Sequence, residues 1–455
     1  MSRLLPGIRV MKALAKLLPS LAVVGALTLV PVTTSSLAAA DADTMKELDR
    51  FMDVFNQVRA TYVDPVEDKV LIKGAIDGML AALDPHSSYL EGSDYTQLRT
   101  TTEGNYGGLG LSVTMEDGAV KVITPTEDTP AERAGMKAGD YITHIDGQLL
   151  YGLNLDEAVD KMRGNPGTST TLTVVRPGRD KPFDVKITRA RIELRPVKWD
   201  VKDGIGIVNI NTFAGNTGAA TEAALTAIDK ATGGKPLGYI VDLRSNPGGL
   251  LNEAVRVSDA FLERGEIVSE RGRDKRDIES WYAKPGDMAR GLPVIVLVDV
   301  GSASAAEIVA GALQDHRRAI VMGERSFGKG SVQGVSELGP TSALRLTIAR
   351  YYTPSGRSVQ AGGIEPDIIV PQLSDPDYKS RPRVREADLR RHLLSQATVE
   401  DDVLQNDTTA DPRFTATAAE LEKKGVKDFQ LDYAIRTLKR LAPAAAAPAK
   451  IAKSR

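Results

Sequence analysis

Val298-Asp299-Val300-Gly301-Ser302-Ala303-Ser304-Ala305-Ala306-Glu307 follows an apolar run over residues 293–298. It opens a segment, residues 303–315, in which Ile308, Val309 and Leu313 share one helical face. The run reads as a buried strand and the segment as a helix. Between them is a turn of very small residues carrying two serines. A strand turning directly into a helix is the unit from which α/β folds are built. A serine at such a turn faces free N–H groups and the positive end of the helix dipole, which favour a developing negative charge. Small neighbours admit a substrate backbone. The plainer alternative is that one serine caps the helix, and the turn alone does not choose between them.

The same alternation runs outward on both sides. Residues 205–210 and 239–243 read as strands, and residues 219–231 and 250–261 as helices. Past the serine turn, residues 319–322 and 343–352 read as further strands. After residue 243 comes Arg244-Ser245-Asn246-Pro247-Gly248-Gly249. Its backbone amides could form half of an oxyanion hole, or it is only a turn. Upstream, Met45, Leu48, Phe51, Met52, Phe55 and Val58 recur at helical spacing, and a second helix over residues 70–83 ends at Asp84-Pro85-His86. This pair is expected to pack or to mediate oligomerisation. Residues 374–415 are polar and charged and read as a loose linker. A last helix over residues 428–441 precedes an Ala/Pro tail, residues 442–455, expected to be disordered.

Between these parts lies a different unit. Tyr106-Gly107-Gly108-Leu109-Gly110-Leu111-Ser112-Val113 is a glycine-rich turn leading into an alternating strand. Then come Thr129-Pro130-Ala131-Glu132-Arg133-Ala134-Gly135-Met136-Lys137-Ala138-Gly139-Asp140-Tyr141-Ile142 and Ile145-Asp146-Gly147. The run resembles a PDZ domain in nearly every position of its middle. That resemblance makes Gly108-Leu109-Gly110-Leu111 the loop whose N–H groups would cradle a terminal carboxylate, with the peptide added as a strand beside it.

The chain has 455 residues, 42% apolar and 26% charged, with a net charge of −2. That is room for two or three domains of an ordinary globular protein. Residues 1–40 carry Arg3, Arg9, Lys12 and Lys16, an apolar run over residues 21–30, and Ala38-Ala39-Ala40. The pattern is that of a signal peptide, with an uncleaved anchor as the alternative. The segment holds four basic and no acidic residues, so cleavage takes the net charge from −2 to −6. No basic patch suggests nucleic acid. There is no cysteine, which excludes disulfides, a thiol nucleophile, thiolate metal sites and a lipid-modified signal. An exported chain without disulfides points weakly to a bacterial periplasm.

A nucleophilic serine needs a base. The four histidines are His86, His144, His316 and His392. Only His316 is near the turn in sequence, and it sits at the far end of the helix, about 18 Å away for twelve helical residues. Lys329 remains, in Gly323-Glu324-Arg325-Ser326-Phe327-Gly328-Lys329-Gly330-Ser331-Val332-Gln333. A desolvated amine loses its proton more readily and can act as a base; a surface loop lysine is the plainer reading. The same run imitates a phosphate-binding loop, but Gly330 stands where Ser/Thr is needed and no helix follows. Ser326 and Lys329 imitate S-x-x-K without its helix or companion motifs, and Ser304 is not flanked as in G-x-S-x-G.

Taken together, Asp84-Pro85-His86-Ser87-Ser88-Tyr89-Leu90, the PDZ-like unit, Asp242-Leu243-Arg244-Ser245-Asn246-Pro247-Gly248-Gly249, the serine turn, the lysine run and Gly362-Gly363-Ile364-Glu365-Pro366-Asp367 resemble the carboxyl-terminal processing (tail-specific) proteases. These are serine peptidases with a Ser–Lys dyad. The resemblance implies a multidomain α/β protein with a ClpP/crotonase-like protease core, an inserted β-rich PDZ domain, and N- and C-terminal helical regions. Its expected parts are a signal peptide at 1–40, a helical region at 41–95, the PDZ domain at 96–190, the core at 191–372, and a linker and helix at 373–441. It makes Ser304 the nucleophile, Lys329 the base and Gln333 the residue that orients it. Backbone N–H groups of Ala305, Gly248 and Gly249 would serve as oxyanion donors. Ser302 is left as the N-cap, Glu307 as a packing or helix-charge residue, and Asp315 as structural. Arg163 would link the PDZ unit to the active site. The implied partners are proteins with apolar C-terminal tails, at times an adaptor lipoprotein, and a second copy of the chain; neither metal nor cofactor is expected. Rival readings are a periplasmic tail-binding scaffold without catalysis and an acyl-transfer or ligand-binding protein on the same core.

Overall fold

The structure, a computed structural model, describes residues 42–116, 118–274, 276–378, 380–381, 383–394 and 411–445. Residues 1–41, which include the segment read as a signal peptide, residues 395–410 and the tail beyond residue 445 lie outside the described residues. The chain divides into two units, residues 1–72 and 73–455. In the first, α1 (Ala42–Thr61) is a 20-residue helix with no buried side chain. α2 (Asp68–Ala81) carries the chain into the second unit. Among the described residues no helix is long and apolar enough to cross a membrane.

In the second unit β1 (Ser88–Glu91) is followed by α3 (Gly92–Glu103). The sequence reading had no helix there, because its polar and threonine-rich face carries little apolar period. The chain then enters the β-rich unit through β2 (Asn105–Gly108) and leaves it through β9 (Ala190–Glu193), and these two strands pair antiparallel. Between them β3 (Leu111–Glu116), β4 (Ala119–Pro125), β5 (Tyr141–Ile145), β6 (Gln148–Leu149), β7 (Ser169–Val175) and β8 (Phe183–Thr188) form one antiparallel sheet. A short helix, α4 (Pro130–Arg133), and α5 (Leu155–Met162) complete the unit, whose own core includes Val120, Val122, Ile142, Leu172 and Val174.

The α/β core is a six-stranded sheet. In chain order its strands are β10 (Val197–Lys202), β11 (Ile205–Ile210), β12 (Gly238–Asp242), β15 (Val294–Val298), β16 (Ile320–Gly323) and β19 (Ile368–Ile369), paired in that order. All pair parallel except β10, which is antiparallel to β11. Parallel strands are stable when covered on both faces, and the alternation of side chains shows how. Val294, Val296 and Val298 point into a core built with α6 (Thr217–Ala231), α7 (Leu251–Asp259) and α8 (Ala305–Asp315). Ile295 and Leu297 point to the other face, against Leu421 of α9 (Ala418–Lys423) and Phe429, Ala434 and Leu438 of α10 (Phe429–Ala445). α10 runs through Ala445, so residues 442–445 are helical rather than part of a disordered tail.

A second sheet stands beside this core. β1 pairs with β18 (Ser342–Tyr352), which also pairs with β17 (Ser331–Gly339) and with β13 (Gly265–Arg271); β14 (Ile278–Ala283) completes it. Part of the expected loose linker is ordered against the core. Glu386 is fully buried in a single 3₁₀ turn, Glu386–Asp388, and its N–H donates to the carbonyl of Phe327 at 3.1 Å.

Candidate active site

The strand and helix around the serine turn fall at Val294–Val298 and Ala305–Asp315. Ser304 therefore occupies the helix N-cap position. Its φ of 53° and ψ of −114° are uncommon for a residue with a side chain, and such strain is kept only where the surroundings hold it. Here they do. The Ser304 N–H donates to the Glu307 carboxylate at 2.7 Å, its carbonyl lies 3.1 Å from the Tyr351 hydroxyl oxygen, and the Ala303 N–H donates to the Asn246 carbonyl. Ser302 is not the helix cap expected of it. Its hydroxyl accepts the Asp299 N–H at 2.9 Å and donates to the Leu243 carbonyl at 2.8 Å, which pins the turn to the end of β12.

Glu307 has a larger role than packing. It is fully buried and accepts the Ser304 N–H, the Ser326 hydroxyl at 2.5 Å, the Gly328 N–H at 2.7 Å and the Lys329 N–H at 2.9 Å. One carboxylate thus joins the serine turn to the lysine loop. Burial raises it to about 7, against the pull of those hydrogen bonds. The S-x-x-E spacing of Ser304 and Glu307, a capping-box signature, was the sequence signal for this contact. Tyr351 adds a second link, its hydroxyl donating to the Lys329 carbonyl at 2.5 Å.

Lys329 itself is half-buried at the site rather than loose on the surface. Its amine donates to Gln333 Oε1 at 2.5 Å. The Gln333 amide is fixed from behind, since its Nε2 donates to Ser331 Oγ at 3.0 Å and to Thr347 Oγ1 at 3.1 Å. Burial lowers the lysine to about 8; nearby Arg345 adds to this, while Glu386, Glu307 and Asp84 oppose it. An amine with that affinity for protons is partly neutral near neutral pH and can accept one.

Ser304, Ala305, Lys329 and Gln333 line one cavity of about 570 Å³, together with Pro247 and Gly249. Leu250, Leu251, Ile308, Val332 and Val335 give it apolar walls. The Ala305 N–H begins α8 and is one of the donors a helix start leaves free. Gly248 differs from expectation. Its N–H donates to Asn246 Oδ1 at 2.8 Å, so it does not face the cavity as a free donor. It is needed for another reason. Its φ is 99°, and a Cβ there would sit 2.8 Å from the Ser304 Cβ. Of the candidate donors, Ala305 follows the serine and Gly249 lines the same cavity.

His316 ends α8 and its Nε2 bonds the Glu266 carbonyl at 2.7 Å, away from Ser304. Asp315 accepts the Ser355 N–H at 2.9 Å and pairs with Arg357, a structural arrangement.

The second candidate surface lies on the β-rich unit. Gly108, Leu109, Gly110 and Leu111 line a groove of about 190 Å³ with Val113, Val159, Met162 and Arg163. Gly110 takes φ 80°, and a Cβ there would lie 2.3 Å from the Thr129 Cβ. Arg163 ends α5, lies 5.5 Å over the Tyr106 ring, and donates to Gln97 Oε1 of α3 at 3.4 Å. Gln97 lines both this groove and the 570 Å³ cavity. The sequence reading missed α3 and so missed this shared wall.

Comparison with known proteins adds the following. Residues 204–370 match the model of peptidase family S41, residues 121–176 a PDZ domain, and residues 30–93 the activating protease CtpB N-terminal domain. A carboxy-terminal-processing protease of Bartonella bacilliformis is 50% identical over 355 residues, 78% of this chain and 82% of that protein. The carboxy-terminal processing protease CtpB of Bacillus subtilis is 33% identical over 403 residues, 86% of this chain and 82% of its own. Among solved structures, a photosystem II D1 C-terminal processing protease aligns at 30% identity over 70% of this chain and 92% of its own, with a TM-score of 0.41. At half-identity across most of both proteins, the chain belongs to the carboxy-terminal-processing serine peptidases of family S41.

Proposed function

We propose that Ser304 and Lys329 form the catalytic dyad of this peptidase and that the groove on the β-rich unit selects its substrates. The observation that carries the reading is the Lys329 amine, lowered to about 8 and bonded to Gln333, in the same cavity as Ser304. In this mechanism neutral Lys329 takes the proton of the Ser304 hydroxyl as the oxygen attacks a peptide carbonyl. The C–N bond breaks, the amine leaves with a proton returned from Lys329, and an ester to Ser304 remains. Water, deprotonated by the same amine, hydrolyses the ester. The N–H groups of Ala305 and Gly249 would stabilise the oxyanion. Gln333 holds the amine in place. The test is a serine-reactive phosphonate together with a protein carrying an apolar C-terminal tail. Labelling at Ser304 and cleavage of that protein are expected; tail binding without turnover would overturn the reading.

The proposed domain limits remain 41–95, 96–190, 191–372 and 373–441. Gly108-Leu109-Gly110-Leu111 would hold the tail carboxylate, and Val159, Met162 and Val113 its apolar side chains. Val159→Glu is expected to raise KM at least about tenfold with kcat nearly unchanged, because it removes binding common to ground and transition states. Steady-state kinetics on the tailed protein measures this. Arg163 would couple groove to cavity through Gln97 on α3, the regulatory role implied for it.

The chain is proposed to act in the periplasm after export by residues 1–40, on protein tails presented freely or by an adaptor lipoprotein. A second copy is proposed to cover α1, whose Met45, Leu48, Phe51 and Met52 are all exposed on one face. Identical apolar faces meet naturally about a two-fold axis. Sedimentation of the mature chain should give an oligomer that Leu48→Glu/Phe51→Glu reduces to monomer.

A further inference from the structure

The Asp84-Pro85-His86-Ser87 turn, which follows α2, reaches the lysine from two sides. On one side the Asp84 carboxylate, 3% exposed, accepts the N–H groups of His86 and Ser87 at 2.8 Å each and the Ser87 hydroxyl at 2.9 Å. Ser87 Oγ accepts the Thr347 N–H at 3.1 Å, and Thr347 Oγ1 accepts Nε2 of Gln333, the residue bonded to Lys329. On the other side His86 Nε2 lies 2.8 and 3.0 Å from the two carboxylate oxygens of Glu386. Glu386 Oε1 also accepts Gln360 Nε2 at 3.0 Å, and Gln360 Oε1 accepts the Gly330 N–H at 3.0 Å. With the Glu386 N–H on the Phe327 carbonyl, Glu386 grips the chain on both sides of Lys329.

A fully buried carboxylate is costly unless its lone pairs are taken. This one is satisfied by partners drawn from the start of the second unit and from the loop around residue 360, and it is aimed at neither solvent nor substrate. We propose that Glu386, held by His86 and Gln360, is a positioning residue for the Lys329 base: it fixes the lysine loop on both sides of that residue. The proposal rests on the Ser304–Lys329 reading. The charged groups facing the amine are Glu386, Glu307 and Asp84, which favour the ammonium, and Arg345, which opposes it; Glu386 acts most strongly among them.

The sign of the effect follows. Only the neutral amine accepts a proton, so activity falls as pH drops through the lysine pKa. Removing the Glu386 charge makes the amine easier to deprotonate and extends activity to lower pH. The experiment measures phosphonate labelling of Ser304 and kcat/KM on the tailed protein from about pH 5 to about pH 10. In Glu386→Gln the acidic limb is expected about one unit below that of the wild type, and Glu386→Asp, which keeps the charge, returns it. His86→Lys sets a permanent cation on the same carboxylate and should move the limb the same way by less. It serves as the second test if Glu386→Gln does not fold. Limbs that coincide in wild type and variants, while Lys329→Ala is inactive, overturn this inference and leave the dyad standing. A wild-type labelling rate with no acidic limb removes the dyad and this inference together.

Discussion

Lys329→Ala is expected to lower kcat/KM on an apolar-tailed protein by about 10³-fold or more, since the proposed dyad then lacks its proton acceptor. Binding of the tail should be unchanged, because the groove on the β-rich unit is built without this residue. Peptide binding by titration and cleavage by steady-state kinetics separate the two. In the wild type the lysine is lowered to about 8, so the rate should fall about tenfold for each pH unit well below that value. Retention of activity in Lys329→Ala would remove the residue from the mechanism. So would a Lys329→Arg variant with normal turnover, because a guanidinium stays charged and cannot serve as base.

Glu307→Leu should be the most damaging substitution for the fold around the site. It leaves the Ser304, Gly328 and Lys329 N–H groups and the Ser326 hydroxyl without their acceptor, and of these Gly328 and Ser326 are buried. Unsatisfied buried donors cost about 1–3 kcal/mol each, so a loss of about 2 kcal/mol or more is expected. The strained Ser304 backbone would lose one of its restraints in the same change. The expected readout is a lower calorimetric transition for the core, with phosphonate labelling of Ser304 lost at temperatures where the variant is still folded. A variant that melts like the wild type and still labels would mean that the turn and the lysine loop hold together without this carboxylate.

The fold was legible wherever order is local. The residues 293–298 run and the following helical face gave the α/β unit, and the placement of Ala303 at the helix start missed by only two positions. The glycine-rich turn and the residues 129–147 run gave the β-rich unit. What stayed hidden depends on partners distant in the chain. Glu307 reads as an ordinary first-turn acid until Gly328 and Lys329 arrive from beyond the helix. Glu386 sits in a charged, proline-containing stretch, and only its contacts with His86 and Gln360 show that it belongs inside. α3 lacks an apolar period because only Tyr95 and Leu98 pack into a small core with Leu90 and Ala343, while Gln97 faces cavities. Gly248 was read as a donor from its place in a turn, whereas the direction of its N–H is set by the Asn246 side chain.

β1 and the Asp84–Ser87 turn precede the β-rich unit, yet they pair with β18 and touch Glu386, near the other end of the second unit. The β-rich unit is closed by local pairing and can form on a nascent chain, whereas the residues around Lys329 come together only after residue 386 has been made. A chain caught halfway through synthesis therefore carries a finished β-rich unit and an unassembled lysine loop. If the proposed dyad holds, such a chain has no base with which to cut, and hydrolysis waits for the last third of the polypeptide.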